Sequence, residues 1–258
     1  MKFLIQKING EIKHDFAFTL LESIRYNNWL ENGNKINFKY LNTLVSDEPD
    51  DISPLIQFKP YHKKYVPIGS VEFVTQFLQH FYNLTPKPIN VPVELFPYAG
   101  RTIINDNETR SFGLIGNWFI KSNDKIKGYK ELQKSEDYYD IILPYGNYQY
   151  SKYINIESEW RAFVYEGKLV GLQNYGGNFR LFPNVQSINE MITAYKSAPI
   201  AYTLDVLVDT QFQNEGTYVC ECHDFISCGL YGFADHKLLP YMFYRSFNEQ
   251  IKKNEKQL

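Results

Sequence analysis

"TYVCECHDFISCGLYGF", residues 217–233, holds all three cysteines of the chain within nine positions, beside a glutamate and a histidine. Two readings compete for it. Either Cys220, Cys222, His223 and Cys228 surround a zinc ion, or the stretch opens as a strand whose cysteines merely pack. Side chains alternate across an extended strand. Cys220 and Cys222 then share one face, and Glu221 and His223 the other. A zinc site built from that quartet would need ligands from both faces, and the spacing is neither C-x-x-C nor H-x(3–5)-H. The cysteines read better as small buried apolar side chains.

The polar face leads outward to "AYTLDVLVD" (201–209), the natural partner strand. With the connection centred on Gln213, Asp205 sits directly across from Glu221, and His223 lies next along the same face. Asp205 is flanked by Leu204 and Val206, and Glu221 by two cysteines. A buried carboxylate without a partner is costly, so each needs a cation, an arginine or a hydrogen-bond network unless that face meets solvent. A hard divalent ion that also holds phosphates is one solution; an internal salt bridge is another.

Positive charge comes from two further places. Arg161 lies in "EWRAFV", two residues after Glu159 and on the same strand face. Lys121 ends the apolar strand "NWFI", and Lys125 and Lys127 follow in a loop closed by Gly128. Flexible lysines suit phosphate oxygens, and a strand-held arginine can stabilise charge on a transferred phosphoryl group. Solvated surface is the plain alternative for such a loop. The chain has no G-x-x-x-x-G-K-[ST] loop and no G-x-S-x-G elbow.

Around these pieces the pattern alternates irregularly. "KFLIQKI" (2–8) predicts a strand ending at the turn pair Asn9-Gly10, and 16–30 predicts a helix capped by Asp15. Residues 31–65 are polar and mixed, with an acidic loop at 46–54. Ser70 caps a helix running to residue 83, whose Val71, Val74, Leu78 and Phe81 recur at helical spacing. Strands are expected at 116–121 and 148–156, and a hairpin over 159–175 turning at Glu166-Gly167. "SINEMITAY" (187–195) has the capping-box pair Ser187 and Glu190, and 239–253 forms an amphipathic helix. The proline-rich "LTPKPINVPVELFP" (84–97) marks a seam near residue 90. The expected class is α+β, with largely antiparallel pairing in the second half.

Bulk properties narrow the functions. The chain has 258 residues, 44% hydrophobic and 22% charged, with 21 Tyr and 19 Phe, so a ring-rich core is expected. A net charge of −2 without a basic block does not indicate nucleic-acid binding. No apolar run approaches the roughly 20 residues of a membrane span, and the N-terminus lacks a signal-peptide pattern. Three cysteines fit a reduced interior, so a cytoplasmic protein is expected.

In order, "FIKSNDKIKGY", "YINIESEWRAFVYEGKLVGLQNY", "AYTLDVLVD" and "VCECHDFISCGLYGF" resemble the ATP-grasp superfamily, and most of all a small phage and bacterial clade marked by one arginine and two lysines. "KFLIQK", "HDFAFTLLESIRYNNW", "YVPIGSVEFV" and "KPINVPVEL" resemble that clade's N-terminal part. The resemblance implies a small α/β domain over 1–90, then an ATP-grasp domain over 91–258 in which two α+β subdomains clasp ATP. It implies phosphate binding by Lys121 and by Lys125 or Lys127, and an adenine-packing hinge at Tyr150–Ile154 that includes Tyr153. Arg161 would lie near the transferred phosphate, and Asp205 and Glu221 would hold magnesium. The implied reaction phosphorylates a carboxylate, and an amine or similar nucleophile then displaces the phosphate. Peptide or protein modification is the expected setting.

Two departures stand out. The usual metal pattern is Glu-x-Asn, whereas here it reads Glu221-Cys222-His223. Imidazole suits softer ions better than magnesium, which opens the site to manganese with His223 as a ligand. It also keeps a second reading alive, a catalytically silent nucleotide-binding or interaction protein. The phosphate loop carries lysines where many members carry glycines, as in the small clade.

Overall fold

The computed structural model describes residues 1–30, 35–43, 58–106, 111–114, 117–126, 129–131, 139–209 and 216–255. In chain order its elements are β1 (Lys2–Ile8), α1 (Asp15–Leu30), β2 (Asn37–Thr43), β3 (Val66–Ile68), α2 (Val71–Tyr82), β4 (Ile103–Asp106), β5 (Ser111–Leu114), β6 (Trp118–Ser122), β7 (Tyr129–Glu131), β8 (Tyr139–Ile142), β9 (Tyr148–Lys152), β10 (Ser158–Tyr165), β11 (Lys168–Gly177), α3 (Val185–Ala194), β12 (Ala201–Asp209), β13 (Gly216–Asp224) and α4 (Leu239–Glu255). Helices and sheets mix as the α+β expectation requires. Among the described residues no helix is long and apolar enough to cross a membrane.

Two compact units divide the chain. The first comprises Met1–Pro86, Pro199–Tyr202 and Phe225–Leu258, and the second Lys87–Ala198 and Thr203–Asp224.

In the first unit β1 is the middle of a parallel sheet, ordered β2–β1–β3. A central parallel strand is covered on both faces and reads as an unbroken apolar run, which Phe3, Leu4 and Ile5 supply, all fully buried. Its one polar interior residue, Gln6, is satisfied at both ends. Gln6 accepts from the Ser70 N–H at 2.7 Å and donates to Thr43 Oγ1 at 2.8 Å. Ser70 in turn caps α2, accepting from the Phe73 N–H at 3.1 Å, and the ring-rich core gathers there. Phe77 meets Phe81 at 4.8 Å and Phe58 at 5.3 Å between centroids.

Several boundaries differ from the sequence expectations. Asp15 is the first residue of α1 rather than its cap, and its carboxylate accepts from the Leu230 N–H at 2.9 Å. The polar stretch 31–65 hides β2, which is paired along its whole length with β1. In the second unit, Asn184 caps α3 by accepting from the Ser187 N–H at 3.0 Å, so the Ser187–Glu190 pair is not the cap. The strand expected over 148–156 stops at Lys152.

The second unit carries two four-stranded sheets, ordered β11–β10–β12–β13 and β4–β9–β6–β7, and a two-stranded β5–β8 ribbon. β10 and β11 form the expected hairpin, with Glu166 and Gly167 at φ 49° and 70° in its turn. That double left-handed turn matches the twist of the flanking strands. Every residue of β12 is buried. Trp118, Ile120, Leu143 and Tyr150 form a separate core under the second sheet. Asn90 and Val91 tie the two sheets together. The Asn90 carbonyl accepts from the Cys222 N–H at 2.7 Å, while its side chain donates to the Ser122 carbonyl at 3.0 Å. Val91 exchanges two bonds with the buried Gln149 amide of β9.

Candidate functional site

That tie brings β6 beside β13, and the charged residues of both sheets meet there. Asp205 sits in the middle of β12 with 1% of its surface exposed. A carboxylate so placed must be matched, and it is matched fully. Arg161 of β10 donates from Nε to Oδ1 and from Nη2 to Oδ2, each at 2.7 Å, the two-pronged geometry that guanidinium and carboxylate share. Burial raises the cost of charging Asp205, but the bonds and charge of Arg161 and His223 outweigh it. The carboxyl is held below its ordinary range.

Glu221 and His223 stand on β13 beside it. His223 Nε2 lies 3.4 Å from Asp205 Oδ2 and 3.1 Å from Glu221 Oε1. Lys121, arriving from β6, donates to Glu221 Oε2. Burial pushes the Lys121 amine below its usual value, and neighbouring acids offset only part of that. Glu159, on β10 with Arg161, is pushed up by burial and by the charge of Asp205, against the pull of Lys121. No hydrogen bond or ion pair holds the Glu159 carboxylate among the described residues.

Asp205, Glu221 and His223 offer one donor atom each within 4.8 Å of one another, a set that fits one divalent cation. Its two carboxylates suit magnesium, and its imidazole shifts preference toward manganese. The zinc quartet is not formed as such. Among the described residues the gathered donors are those of Asp205, Glu221 and His223, and the three cysteines form no disulfide, Cys222 and Cys228 being buried.

The remaining expected residues are not gathered there. Lys125 is exposed in the turn after β6, and its backbone N–H is held by Ser122 Oγ at 3.0 Å. Lys127 lies outside the described residues. Tyr153 and Ile154 follow β9, with Tyr153 more than half exposed and its N–H bonded to the Asn117 carbonyl at 3.0 Å. Among the described residues no hydrogen bond or ion pair links either to the acids.

Two neighbours escape sequence reading. β10 and β11 slip register between Glu159 and Trp160, leaving Tyr175 as the extra residue of a bulge. A bulge re-aims a side chain, and the Tyr175 hydroxyl donates to Asp205 Oδ2 at 3.4 Å, with its ring 5.6 Å from the Arg161 guanidinium. Arg101 donates to the carbonyls of Val219 and Cys220 at 2.7 and 2.9 Å, fastening β13. Gly100 precedes it at φ 62°, where a Cβ would lie 2.5 Å from the Tyr218 ring.

Residues 98–240, more than half of the chain and including this whole cluster, match the family described as ATP-grasp domain, R2K clade family 2. The chain belongs to that family. The ATP-grasp fold follows, and the ATP-grasp match reaches from Tyr98 to the start of α4. No curated protein matches the sequence. Among solved structures, the chain is similar to a D-alanine–D-alanine ligase from Bacillus anthracis complexed with ATP, at 13% identity and a TM-score of 0.48 over 98% of this chain and 99% of that one. It is also similar to an L-amino acid ligase from Bacillus licheniformis, at 11% identity and 0.49 over 95% and 74%. A third is N5-carboxyaminoimidazole synthetase from Staphylococcus aureus, at 13% and 0.46 over 86% and 71%.

Proposed function

We propose that the chain is an ATP-dependent ligase that activates a carboxylate as an acyl phosphate and joins it to an amine or similar nucleophile. Membership of the ATP-grasp family supports the reading, and one observation carries it. Lys121 meets Glu221 across two sheets while Arg161 clasps Asp205 beside them. Cations that can take phosphate oxygens, and acids that can take a counter-ion, thus converge at one place.

In this reading residues 91–258 are the ATP-grasp domain and 1–90 a preceding α/β domain. Lys121, with Lys125 and Lys127 from the turn, binds phosphates, and Tyr153 and Ile154 pack the adenine. Asp205, Glu221 and His223 would hold magnesium, or manganese because of the imidazole, and the metal's charge would offset that of the phosphates. A substrate carboxylate oxygen attacks the terminal phosphorus and ADP leaves; the amine nitrogen then attacks the acyl carbon, and phosphate and a proton leave. Arg161 stabilises the charge on the transferred group. Phage-like ancestry, a peptide or protein acceptor and a cytoplasmic setting belong to the same reading.

His223 favours one rival, a protein that binds nucleotide and performs no transfer. ADP release in the presence of the free amino acids and hydroxylamine separates the two, since hydroxylamine traps an acyl phosphate as a hydroxamate. The ligase reading expects ADP and hydroxamate together, and loss of both in Glu221→Ala. Turnover by Glu221→Ala at the wild-type rate would sink the metal assignment, and nucleotide binding without ADP would leave the silent protein.

A further inference from the structure

The acids at the centre of the site are already taken by the chain's own cations. Asp205 Oδ1 accepts from Arg161 Nε, and Oδ2 accepts from Arg161 Nη2 and from the Tyr175 hydroxyl, with His223 Nε2 beside it. Glu221 is held by Lys121 on one oxygen and approached by His223 on the other. A bare divalent ion reaching this pair must first displace a guanidinium and an ammonium. Arg161 has only 7% of its surface exposed, so losing its two-pronged bond to Asp205 away from water is the costly half of breaking a buried ion pair. Lys121 has a side chain only 20% exposed and an amine whose charge burial already disfavours. A triphosphate changes this balance. Its oxygens give both cations a new anionic partner as they leave the acids.

We propose that Lys121 and Arg161 serve as the counter-charges of Asp205 and Glu221 until nucleotide binds, so that free cation binds poorly and metal and nucleotide enter by exchanging partners. The proposal rests on the nucleotide-binding reading above. Its thermodynamic form is reciprocal: nucleotide raises the affinity for metal, and metal raises that for nucleotide by the same factor. The site then discriminates for the metal–nucleotide complex against either component alone.

The test uses Mn2+ alone, titrated into the full chain while free Mn2+ is read by electron paramagnetic resonance. Removing a counter-charge should improve metal binding, an effect that simple structural damage does not produce. Lys121→Met, in the absence of nucleotide, is expected to bind Mn2+ about tenfold more tightly than the wild type, the size of an ordinary coupling between sites. The same variant should bind a nonhydrolysable ATP analogue more weakly. Lys121→Gln, which keeps a polar group there, serves as the second variant should the methionine unfold the chain, with circular dichroism as the check. Mn2+ binding by a folded variant no tighter than by the wild type would overturn the partner exchange. The wild type also reports on the underlying reading separately: if it binds no analogue with magnesium or manganese, the nucleotide site itself falls. Analogue binding without a gain in the lysine variants removes only the exchange.

Discussion

The β11–β10–β12–β13 sheet and the turn after β6 handle charge in opposite ways. On the sheet, Asp205 is enclosed by Arg161, Tyr175 and His223, and Glu221 by Lys121 and His223. At the turn the backbone is the part that is fixed. Ser122 Oγ accepts from the N–H groups of Asp124 and Lys125 at 3.1 and 3.0 Å, and Asp124 accepts from the Asn147 N–H at 2.8 Å. The Lys125 ammonium is left in water, with no hydrogen bond or ion pair among the described residues. A matched, buried charge holds the fold before any ligand arrives. An exposed one on a braced turn contributes only when something binds.

This contrast sets the order of the expected effects. Asp205→Ala removes the two-pronged carboxylate partner of a buried guanidinium, so it should lower unfolding free energy in urea by about 3–5 kcal/mol. A loss smaller than about 1 kcal/mol, the size of an ordinary surface substitution or less, would break the comparison. Acid sharpens the same point. Because the folded Asp205 carboxyl is held below its ordinary value of 3.8, the unfolded chain takes up the proton first as pH falls. Its contribution is therefore complete above that value and lost as pH drops through the lower, folded value. Asp205→Asn should lack this component of the acid transition, and an unchanged acid limb would contradict the assignment. At the small end, Lys125→Ala should shift stability by no more than about 0.5 kcal/mol. It should weaken binding of an ATP analogue in a manner that salt reproduces, since an exposed cation is screened. A large stability loss there would mean that the turn is not merely braced backbone.

What the sequence revealed follows the same physical line. Local signals were legible: the Ser70 cap, the Glu166-Gly167 turn and the unbroken apolar run of β1 each depend on neighbouring residues alone. Alternation placed Glu221 and His223 on one face, and the acid within β12 pointed to a partner that proved to be Arg161. Tyr175 was not legible, because alternation assumes an even register and the bulge at Glu159–Trp160 breaks it. Arg101 was not legible either. Its partners are carbonyls of Ala99, Val219 and Cys220, which every residue carries, so no residue type announces them. β2 was hidden for a related reason: Asn37, Lys39 and Tyr40 lie exposed on an edge strand, which needs no apolar alternation.

The most direct measurement is a calorimetric titration of a nonhydrolysable ATP analogue with magnesium into the wild type and Lys121→Ala. Saturable binding to the wild type that is lost with the lysine is the predicted result. Binding that survives Lys121→Ala unchanged, or a wild type that binds nothing with magnesium or manganese, would contradict the reading of this cluster as a nucleotide site.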